Sequence, residues 1–327
     1  MTVAIGRLRI ENPFILAPMA GVSDPPFRRL CRQGGAGMVC AEMVSANALH
    51  YNDDRSFRML QTYPDEHPIS MQLFGAEPER LAEGAKKAQD GGADVIDLNC
   101  GCPVPKITKT GAGFSLMLNE ALFARCVEAM AKAVSVPVTV KVRLGWKAGE
   151  NRAVEFAKIA ESAGASAITV HARSKESHHS GPTDLPALRA VVEAVKIPVI
   201  GNGGIRHVDD ARRMMAETGC KAVMVGQAAM GNPYLFLEML NGGGADDTPL
   251  AKRFQILRDH ARLNAEYFGE ELGVARLRKF IPAYSKKLPH GSEFRGKVNS
   301  LTTLAAVLEA INEYETALDN GEFHAHN

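Results

Sequence analysis

Residues 94–117 read DVIDLNCGCPVPKITKTGAGFSLM, and this stretch decides the fold. It opens as a short apolar run, Val95 to Leu98, and breaks at Asn99 into a turn punctuated by glycine and proline. A loop rich in glycine and lysine then leads into an amphipathic helical pattern. A strand that ends in turn chemistry before a helix is a βα unit. Asn99 and Cys102 follow this strand directly, and in parallel α/β proteins ligands bind at that end of the strands.

The same pattern recurs along the first 240 residues. Apolar runs that end in turn chemistry alternate with helical patterns, which predicts a parallel sheet. Eight such units predict a (β/α)₈ TIM barrel. The alternative, a doubly wound open sheet, is disfavoured because no G-x-G-x-x-G fingerprint follows the first strand. The predicted strands are Phe14–Ala17, Met38–Ala41, Ile69–Leu73, Val95–Leu98, Val138–Val142, Ala167–Val170, Pro198–Ile200 and Ala222–Val225.

A change of character near residue 245 predicts a second domain. Residues 241–249 read NGGGADDTP, a linker pattern, and apolar residues then recur at helical spacing without strand-like runs. We therefore predict a barrel catalytic domain at residues 1–243 and a small helical domain at residues 250–327.

Composition places the chain among ordinary globular proteins. It has 327 residues, of which 46% are hydrophobic and 23% are charged. No run is long enough for a membrane span, and no signal sequence opens the chain. The six cysteines have neither disulfide-framework nor zinc-site spacing, so we expect reduced thiols, no metal and a cytoplasmic protein. No feature points to an obligate protein partner.

The net charge of +1 says nothing about partners, but its distribution does. Residues 251–300 carry 11 basic and 5 acidic residues, whereas residues 301–327 carry 5 acidic residues and no basic ones. The basic excess is thus confined to the predicted helical domain. A solvated surface is the ordinary explanation of such a run, and binding of a polyanion is the alternative.

Residues that end the predicted strands form a coherent pocket. Two glycine-rich loops follow the seventh and eighth strands, where barrels bind phosphate through backbone N–H groups. Lys141 lies inside a strand of valines, and a barrel-interior lysine needs an acceptor. The strand-end residues are Pro18, Met19, Ala20, Gln72, Asn99, Cys102, Lys141, Arg143, His171, Arg173, Asn202, Gly203, Gly204, Gly226 and Gln227.

Each of these residues also has a purely structural interpretation. Cys102 alone could be a small core residue. Gly203 and Gly204 could only form a tight turn. Lys141 could pair with a neighbour such as Glu42, and His171 could be a hydrogen-bonded core histidine.

Taken together, the pocket residues fit a flavin better than hydrolysis. The sequence has no Ser/His/Asp arrangement and no pair of carboxylates. Gln72 and Lys141 can hydrogen-bond the polar edge of an isoalloxazine ring, and the backbone at residues 18–20 can pack against it. An ordinary thiol is mostly protonated at neutral pH, so Cys102 is suited to donate a proton.

At this point the motifs resemble a known family, the tRNA-dihydrouridine synthases, and most closely its bacterial B-type branch. The resemblance covers essentially the whole chain. The motifs are APMAGVSDPPFR (17–28), MQLFG (71–75), LNCGCPVPKITKTGAG (98–113), KVRLGW (141–146), HARS (171–174), NGGI (202–205) and RKFIPAYSKKLP (278–289).

The resemblance implies an FMN-bound TIM barrel, a C-terminal tRNA-binding domain and NADPH-dependent reduction of the C5=C6 bond of particular uridines in tRNA. Cys102 would protonate C5, Asn99 and Arg173 would face the uracil, and hydride would pass from FMN N5 to C6. FMN would contact Pro18, Met19, Ala20, Gln72, Lys141, His171, Asn202, Gly203, Gly204, Gly226 and Gln227. In the basic segment, tRNA would contact Arg278, Lys279, Lys286 and Lys287.

The chain departs from the family pattern at a few positions. The family often has Asp where Gly204 stands and Arg where Gln227 stands, so an Arg charge is absent beside the expected phosphate. It often has an aromatic residue in place of His179 and Trp in place of Leu185. Two other functions stay open: an FMN barrel that acts on a free pyrimidine, and a non-catalytic RNA-binding regulator. The nicotinamide preference, the target uridine and the oligomeric state are not determined by the sequence.

Overall fold

A parallel barrel forms the larger part of the protein. The structure is a computed structural model that describes residues 2–177 and 181–321. In these residues the strands are β1 (Val3–Ile5), β2 (Leu8–Ile10), β3 (Phe14–Leu16), β4 (Val39–Cys40), β5 (Val44–Ser45), β6 (Ile69–Phe74), β7 (Val95–Asn99), β8 (Val138–Arg143), β9 (Ala167–His171), β10 (Val199–Asn202) and β11 (Ala222–Val225).

The barrel strands pair in the order β3-β11-β10-β9-β8-β7-β6-β4, and each of these pairs is parallel. Between β3 and β4 the link is a bridge of Ile15 with Met38, and the N–H of Leu16 donates to the carbonyl of Met38 at 2.9 Å. The predicted (β/α)₈ barrel is therefore confirmed. All eight predicted strands are present, with ends that differ by a residue or two.

The hairpin of β1 and β2 was not predicted. Its apolar residues Val3, Ile5 and Ile10 are buried against inward-facing residues such as Val95 and Ala167, which begin β7 and β9. The hairpin therefore covers the amino-terminal end of the barrel, opposite the end where the strand-end residues lie. Its strands are three residues long, and such short alternating runs give little sequence signal.

Helices surround the barrel, and their apolar faces are buried against the sheet. Side-chain caps fix several helix starts: Asn119 accepts a hydrogen bond from the N–H of Leu122 at 3.0 Å, and Asp184 accepts one from Ala187 at 2.9 Å. The helices of this part are α1 (Pro25–Gln33), α2 (Ala46–His50), α3 (Asp54–Arg58), α4 (Pro78–Asp90), α5 (Pro105–Thr108), α6 (Glu120–Ala133), α7 (Ala153–Ser162), α8 (Leu185–Ala194), α9 (Val208–Thr218) and α10 (Leu235–Leu240), with 3₁₀ turns at Pro64–Glu66, Gly113–Leu118 and Gln227–Ala229.

A helical region follows the barrel, as predicted. It packs on α1, where Phe27 stacks on Phe280 with ring centroids 5.1 Å apart and the His260 ring lies 4.4 Å from Phe280. One apolar core runs from the barrel into this region. Its helices are α11 (Leu250–Phe268), α12 (Glu270–Leu277), α13 (Ile281–Tyr284), α14 (Gly291–Ser300) and α15 (Leu304–Asp319). The division of function between residues 1–243 and 250–327 stays a prediction.

Among the described residues, no helix is both long and apolar enough to cross a membrane.

A fully buried ion pair holds α1 to the turn before β6. The Arg28 guanidinium contacts both carboxylate oxygens of Glu66, at 2.9 and 3.0 Å, and also donates to the carbonyls of Ser23 and Gln61. Both side chains are at most 1% exposed. Each charge is matched and hydrogen-bonded, which is the condition for tolerating a buried ion pair.

Replacing Glu66 with Ala should strongly destabilise the protein, because the Arg28 charge would stay buried without its partner. The expected loss is roughly 3–5 kcal/mol in the free energy of unfolding, measured by urea denaturation. Asp65→Ala is the matched control, since Asp65 pairs with Arg29 at the surface and its loss should matter little. Equal effects of the two substitutions would contradict the assignment.

Candidate active site

Polar side chains from adjacent strands meet at the carboxyl end of the barrel. Asn99 at the end of β7 is in register with Lys141 of β8, and His171 at the end of β9 is in register with Asn202 of β10. Asn99, His171 and Asn202 are buried. The structure thus brings together four of the residues that the sequence predicted for the pocket.

The loop that carries Cys102 is fixed by its own backbone. Asn99 Oδ1 accepts hydrogen bonds from the N–H groups of Cys102 at 3.0 Å and Gly101 at 3.3 Å, and the carbonyl of Cys102 accepts one from Phe114 at 3.0 Å. Gly113 has φ +61°, and a Cβ there would lie 2.8 Å from the carbonyl oxygen of Cys102. A side chain at position 113 would therefore displace the loop.

Cys102 is half-buried, whereas the other five cysteines are buried. Burial raises the pKa of the Cys100 thiol well above its usual range, so Cys100 is suited to be an inert core residue. Cys102 is thus the thiol of this chain with the best access to a ligand.

A chain of hydrogen bonds inside the barrel sets the direction of the Asn99 amide. Asp97 accepts from Gln72 Nε2 at 2.7 Å and from the Thr139 hydroxyl at 2.6 Å. Gln72 Oε1 in turn accepts from Asn99 Nδ2 at 2.9 Å. Because an ionised carboxylate can only accept, Gln72 must turn its NH₂ group to Asp97. The Asn99 NH₂ group then faces Gln72, which leaves Asn99 Oδ1 to hold the Cys102 loop.

Lys141 is a half-buried cation of this site. Its ammonium donates to Asn202 Oδ1 at 3.1 Å, and Asn202 Nδ2 donates to the carbonyl of Met224 at 2.8 Å. Burial, followed by the Arg143 charge, lowers the pKa of Lys141 to about 8. The alternative pairing with Glu42 is not formed, because Glu42 accepts from the N–H of Gly21 and lies 3.7 Å from the Arg276 guanidinium.

Two charged residues act in this site without a role having been assigned to them from the sequence: Asp97 was not a candidate, and Arg143 was named only as a strand-end residue. Asp97 governs the amide chain, and Arg143 donates to the carbonyls of Gly101 at 3.1 Å and Ser174 at 3.0 Å. Burial lowers the pKa of Arg143 to about 10, while the electrostatic effect of Cys102 acts in the opposite direction. Each lies in an apolar strand, and a charge in such a strand was the signal that could have identified them.

Arg173 lies beside the glycine-rich loop after β10. Its guanidinium donates to the carbonyl of Gly181 at 3.0 and 2.8 Å and lies 3.3 Å from His171 Nε2. Gly203 has φ +118°, and a Cβ there would lie 3.1 Å from the His171 ring and 3.2 Å from the Arg173 guanidinium. Gly204 also lies next to Arg173, because a Cβ added at Gly204 would lie 3.8 Å from the guanidinium. Among the described residues, Arg173 thus contacts the loop after β10, and it is Arg143 that contacts the loop carrying Cys102.

The first and last barrel loops approach each other at the same end. A Cβ on Gly226 would lie 3.5 Å from the sulfur of Met19. Pro18 and Met19 are half-buried, and Ala20 and Gln227 are exposed at the rim. All of the residues predicted to contact a cofactor are thus located around the carboxyl end of the strands.

The four predicted tRNA contacts fall into two groups. Arg278 donates to the carbonyl of Leu301 at 2.9 Å, and Lys279 contacts the carboxylate of Asp24 at 3.2 Å. Lys286 and Lys287 are exposed, and Lys287 pairs with the exposed Asp246 at 3.2 Å. The predicted departure at His179 lies outside the described residues.

The described residues contain no group of three or more His, Cys, Asp or Glu side chains placed to bind a metal ion.

A parallel barrel with its polar residues gathered at the carboxyl ends of the strands has the layout of a (β/α)₈ enzyme. Residues 15–321 match the family model described as Dihydrouridine synthase (Dus). The chain belongs to the dihydrouridine synthase family, whose members are oxidoreductases acting on CH–CH bonds, and the predicted family is confirmed.

Sequence relatives cover almost the whole chain. A tRNA-dihydrouridine synthase B from Pseudomonas aeruginosa is 38% identical over 316 residues, which is 95% of each protein. A probable tRNA-dihydrouridine synthase from Rickettsia conorii is 40% identical over 321 residues, or 97% of each.

Solved structures share the barrel fold. A morphinone reductase variant in complex with tetrahydroNAD has a TM-score of 0.57 at 12% identity, and the match covers 74% of this chain and 91% of that one. The old yellow enzyme from Trypanosoma cruzi has a TM-score of 0.55 at 13% identity, covering 73% and 91%. These likenesses concern the fold alone.

Asp97→Asn should loosen the Cys102 loop, because an amide at position 97 no longer dictates the orientation of Gln72 and Asn99. Alkylation of Cys102 by iodoacetamide, followed by intact-mass spectrometry, should become about fivefold faster, the equivalent of one lost hydrogen bond of ~1 kcal/mol. Asp94→Asn is the control, since Asp94 contacts His67 and Ile69 at the other end of β7. An unchanged rate in Asp97→Asn would mean that the loop is held without the carboxylate.

Proposed function

We propose that this chain is a tRNA-dihydrouridine synthase that reduces the C5=C6 bond of specific uridines in tRNA. The observation that carries the proposal is the position of Cys102. In a chain of the dihydrouridine synthase family, it is the half-buried thiol that Asn99 holds at the carboxyl end of the barrel. The full-length relatives named as tRNA-dihydrouridine synthases support the same substrate.

The residues present fit FMN as the cofactor. Lys141 is a half-buried cation that faces a neutral amide oxygen, so an electron-rich ring edge would supply the acceptor it needs. Gly203 provides a position where any Cβ would fill the space beside His171 and Arg173. Among the described groups, no acceptor is seen for the backbone N–H groups of Gly203 and Gly204, which leaves them available to a phosphate. His171, Asn202, Gly226 and Gln227 complete the proposed contacts, together with Gln72 and the loop at residues 18–20.

When bound in its reduced form, FMN supplies hydride from N5 to uracil C6. The residues of this chain do the rest. The Cys102 thiol donates its proton to C5, which is the carbon left carrying negative charge once hydride has added to the conjugated bond. Asn99 and Arg143 keep Cys102 at a fixed place. Among the residues that the structure describes, the Asn99 amide donates to Gln72 alone, so its second N–H can meet a uracil carbonyl. Arg173 is proposed at the substrate side of the glycine-rich loop.

A uridine within folded tRNA cannot reach a barrel mouth without leaving its stack, so the target base must be flipped out. The helical domain is proposed to hold the tRNA, with the exposed Lys286 and Lys287 as phosphate contacts. Arg278 and Lys279, whose side chains make internal contacts, would act there mainly by shaping the surface. We further propose NADPH as the reductant and the cytoplasm as the location.

The purified protein should be yellow, and Cys102→Ala should separate its two half-reactions. The variant should keep FMN and keep oxidising NADPH, yet lose roughly 10²–10⁴-fold in tRNA reduction, the usual contribution of a positioned acid. Dihydrouridine in tRNA is measured by mass spectrometry of digested nucleosides. Cys100→Ala, at the buried cysteine two positions away, is the control and should be mild. A colourless protein that cannot take up FMN would overturn the proposal, and near-native tRNA reduction by Cys102→Ala would remove Cys102 from the chemistry.

Binding of tRNA should weaken steeply with salt, and the exposed lysines should account for part of the slope. Each phosphate contact contributes a slope of about −0.7 to −0.9 in log affinity against log salt concentration. The double variant Lys286→Ala/Lys287→Ala should therefore flatten the slope by roughly 1.5 and raise the tRNA KM, with flavin content unchanged. Lys132→Ala removes an exposed cation from α6, on the outside of the barrel, and should leave the slope as it is. Identical slopes for the wild type and the double variant would place the RNA contacts elsewhere.

A further inference from the structure

The loop after β3 is a compact turn at the rim of the site. The N–H of Met19 donates to the hydroxyl of Ser23 at 2.7 Å, and the carbonyl of Met19 accepts from the N–H groups of Val22 and Ser23 at 2.9 and 3.0 Å. Residues 18–20 of this turn are the ones proposed to pack against the flavin. Whatever fixes the turn therefore fixes one wall of that site.

Gly21, at the tip of the turn, has side-chain partners for both its backbone N–H and its backbone carbonyl. Its N–H donates to the carboxylate of Glu42, from the segment that follows β4, and its carbonyl accepts from the ammonium of Lys279. Glu42 belongs to the barrel, but Lys279 belongs to the helical domain. Gly21, in the loop proposed to contact the flavin, is thus hydrogen-bonded to both parts of the protein.

A buried carboxylate completes this contact. Asp24 is 1% exposed, caps α1 through the N–H of Phe27, and receives both Arg276 at 3.0 Å and Lys279 at 3.2 Å. The Arg276 guanidinium also lies 3.7 Å from Glu42, so two carboxylates of the barrel face two cations of the helical domain. We refer to Glu42, Asp24, Arg276, Lys279 and the Gly21 backbone as the interdomain clamp.

Unlike a surface ion pair, the clamp holds its charges partly or fully out of water. Lys279 is partly buried, and burial lowers its pKa while Asp24 acts to raise it, as expected for a cation taken out of water to meet a specific partner. Arg276 lies over the Phe268 ring at 4.2 Å, which orients its guanidinium towards the barrel. Losing one member would leave a buried opposite charge without its partner.

We propose that Arg276 and Lys279 are positioning residues of the flavin site, through which the helical domain sets the conformation of the loop at residues 18–21. The inference rests on the proposed function, since it assumes that this loop contacts FMN. It assigns to the helical domain a role in cofactor binding besides its proposed role in holding tRNA. Neither side chain needs to touch the flavin, because each acts through Gly21 or Asp24.

The test measures FMN affinity and the visible absorption spectrum of the flavin in the full-length protein. Lys279→Ala removes the donor to the Gly21 carbonyl, and Glu42→Ala removes the acceptor of the Gly21 N–H. Both should weaken FMN binding by roughly 3- to 30-fold and shift the flavin spectrum, the size expected for residues that act without touching the ligand. Lys279→Arg keeps the cation and should restore most of the affinity.

Two control variants separate the clamp from general loosening of the interface. Tyr267→Phe removes an interdomain hydrogen bond to Gln61, formed at 2.9 Å away from Gly21. Arg262→Ala removes a cation of the helical domain whose ion pair, with Asp259, lies within one helix. FMN affinity should be unchanged in both.

Failure of the clamp and failure of the proposed function would give different results. FMN affinity within twofold of wild type in both Lys279→Ala and Glu42→Ala, whatever the melting temperature, would overturn the clamp and leave the proposed function intact. A defect of Lys279→Ala confined to the tRNA KM would also overturn it, because Lys279 would then act on the RNA. Wild-type protein that binds no FMN would overturn the proposed function and this inference together.

Discussion

The carboxylate of Asp97 is the constraint on which the rest of the site depends. It lies inside the barrel on β7, and a buried charge is tolerated only where hydrogen bonds replace water. Burial raises the pKa of Asp97, while the hydrogen bonds from Gln72 and Thr139 act to lower it. Those two donors come from the neighbouring strands β6 and β8. Satisfying one carboxylate therefore aligns three strands and, through Gln72 and Asn99, fixes the loop that carries Cys102.

Most of the fold could be predicted because its signals are local. An apolar run that ends in turn chemistry needs only a few neighbouring residues to be recognised, and all eight barrel strands have this form. The residue types at the strand ends followed from the same argument, since the carboxyl ends of parallel strands share one edge. The hairpin of β1 and β2 escaped because its burial depends on the finished barrel that it covers.

The contacts within the site could not be predicted, because they join residues far apart in sequence. The partner of Lys141 is Asn202, two strands away, and Glu42 instead meets Gly21 and Arg276. Arg143 and Arg173 both stand at strand ends in the sequence, and only Arg173 was assigned a role, that of facing the uracil. Only the geometry places Arg143 at the Cys102 loop and Arg173 at the loop of Gly203.

The basic segment shows why a charge count cannot identify a binding surface. Residues 251–300 have a basic excess, yet Lys279 and Arg276 form ion pairs with Asp24, about 250 residues earlier in the chain. A local window contains the cations but not their acidic partner, so an ion pair within the fold and a site for a polyanion look the same. The aromatic contacts of Phe27 with Phe280 and His260 lie at the same junction and are fully buried. The helical region is thus docked on α1 through a continuous core, which fixes its distance from Cys102. If that region holds the tRNA as proposed, the RNA would meet the barrel mouth in a defined position, and the fold itself would then restrict which uridine reaches the thiol.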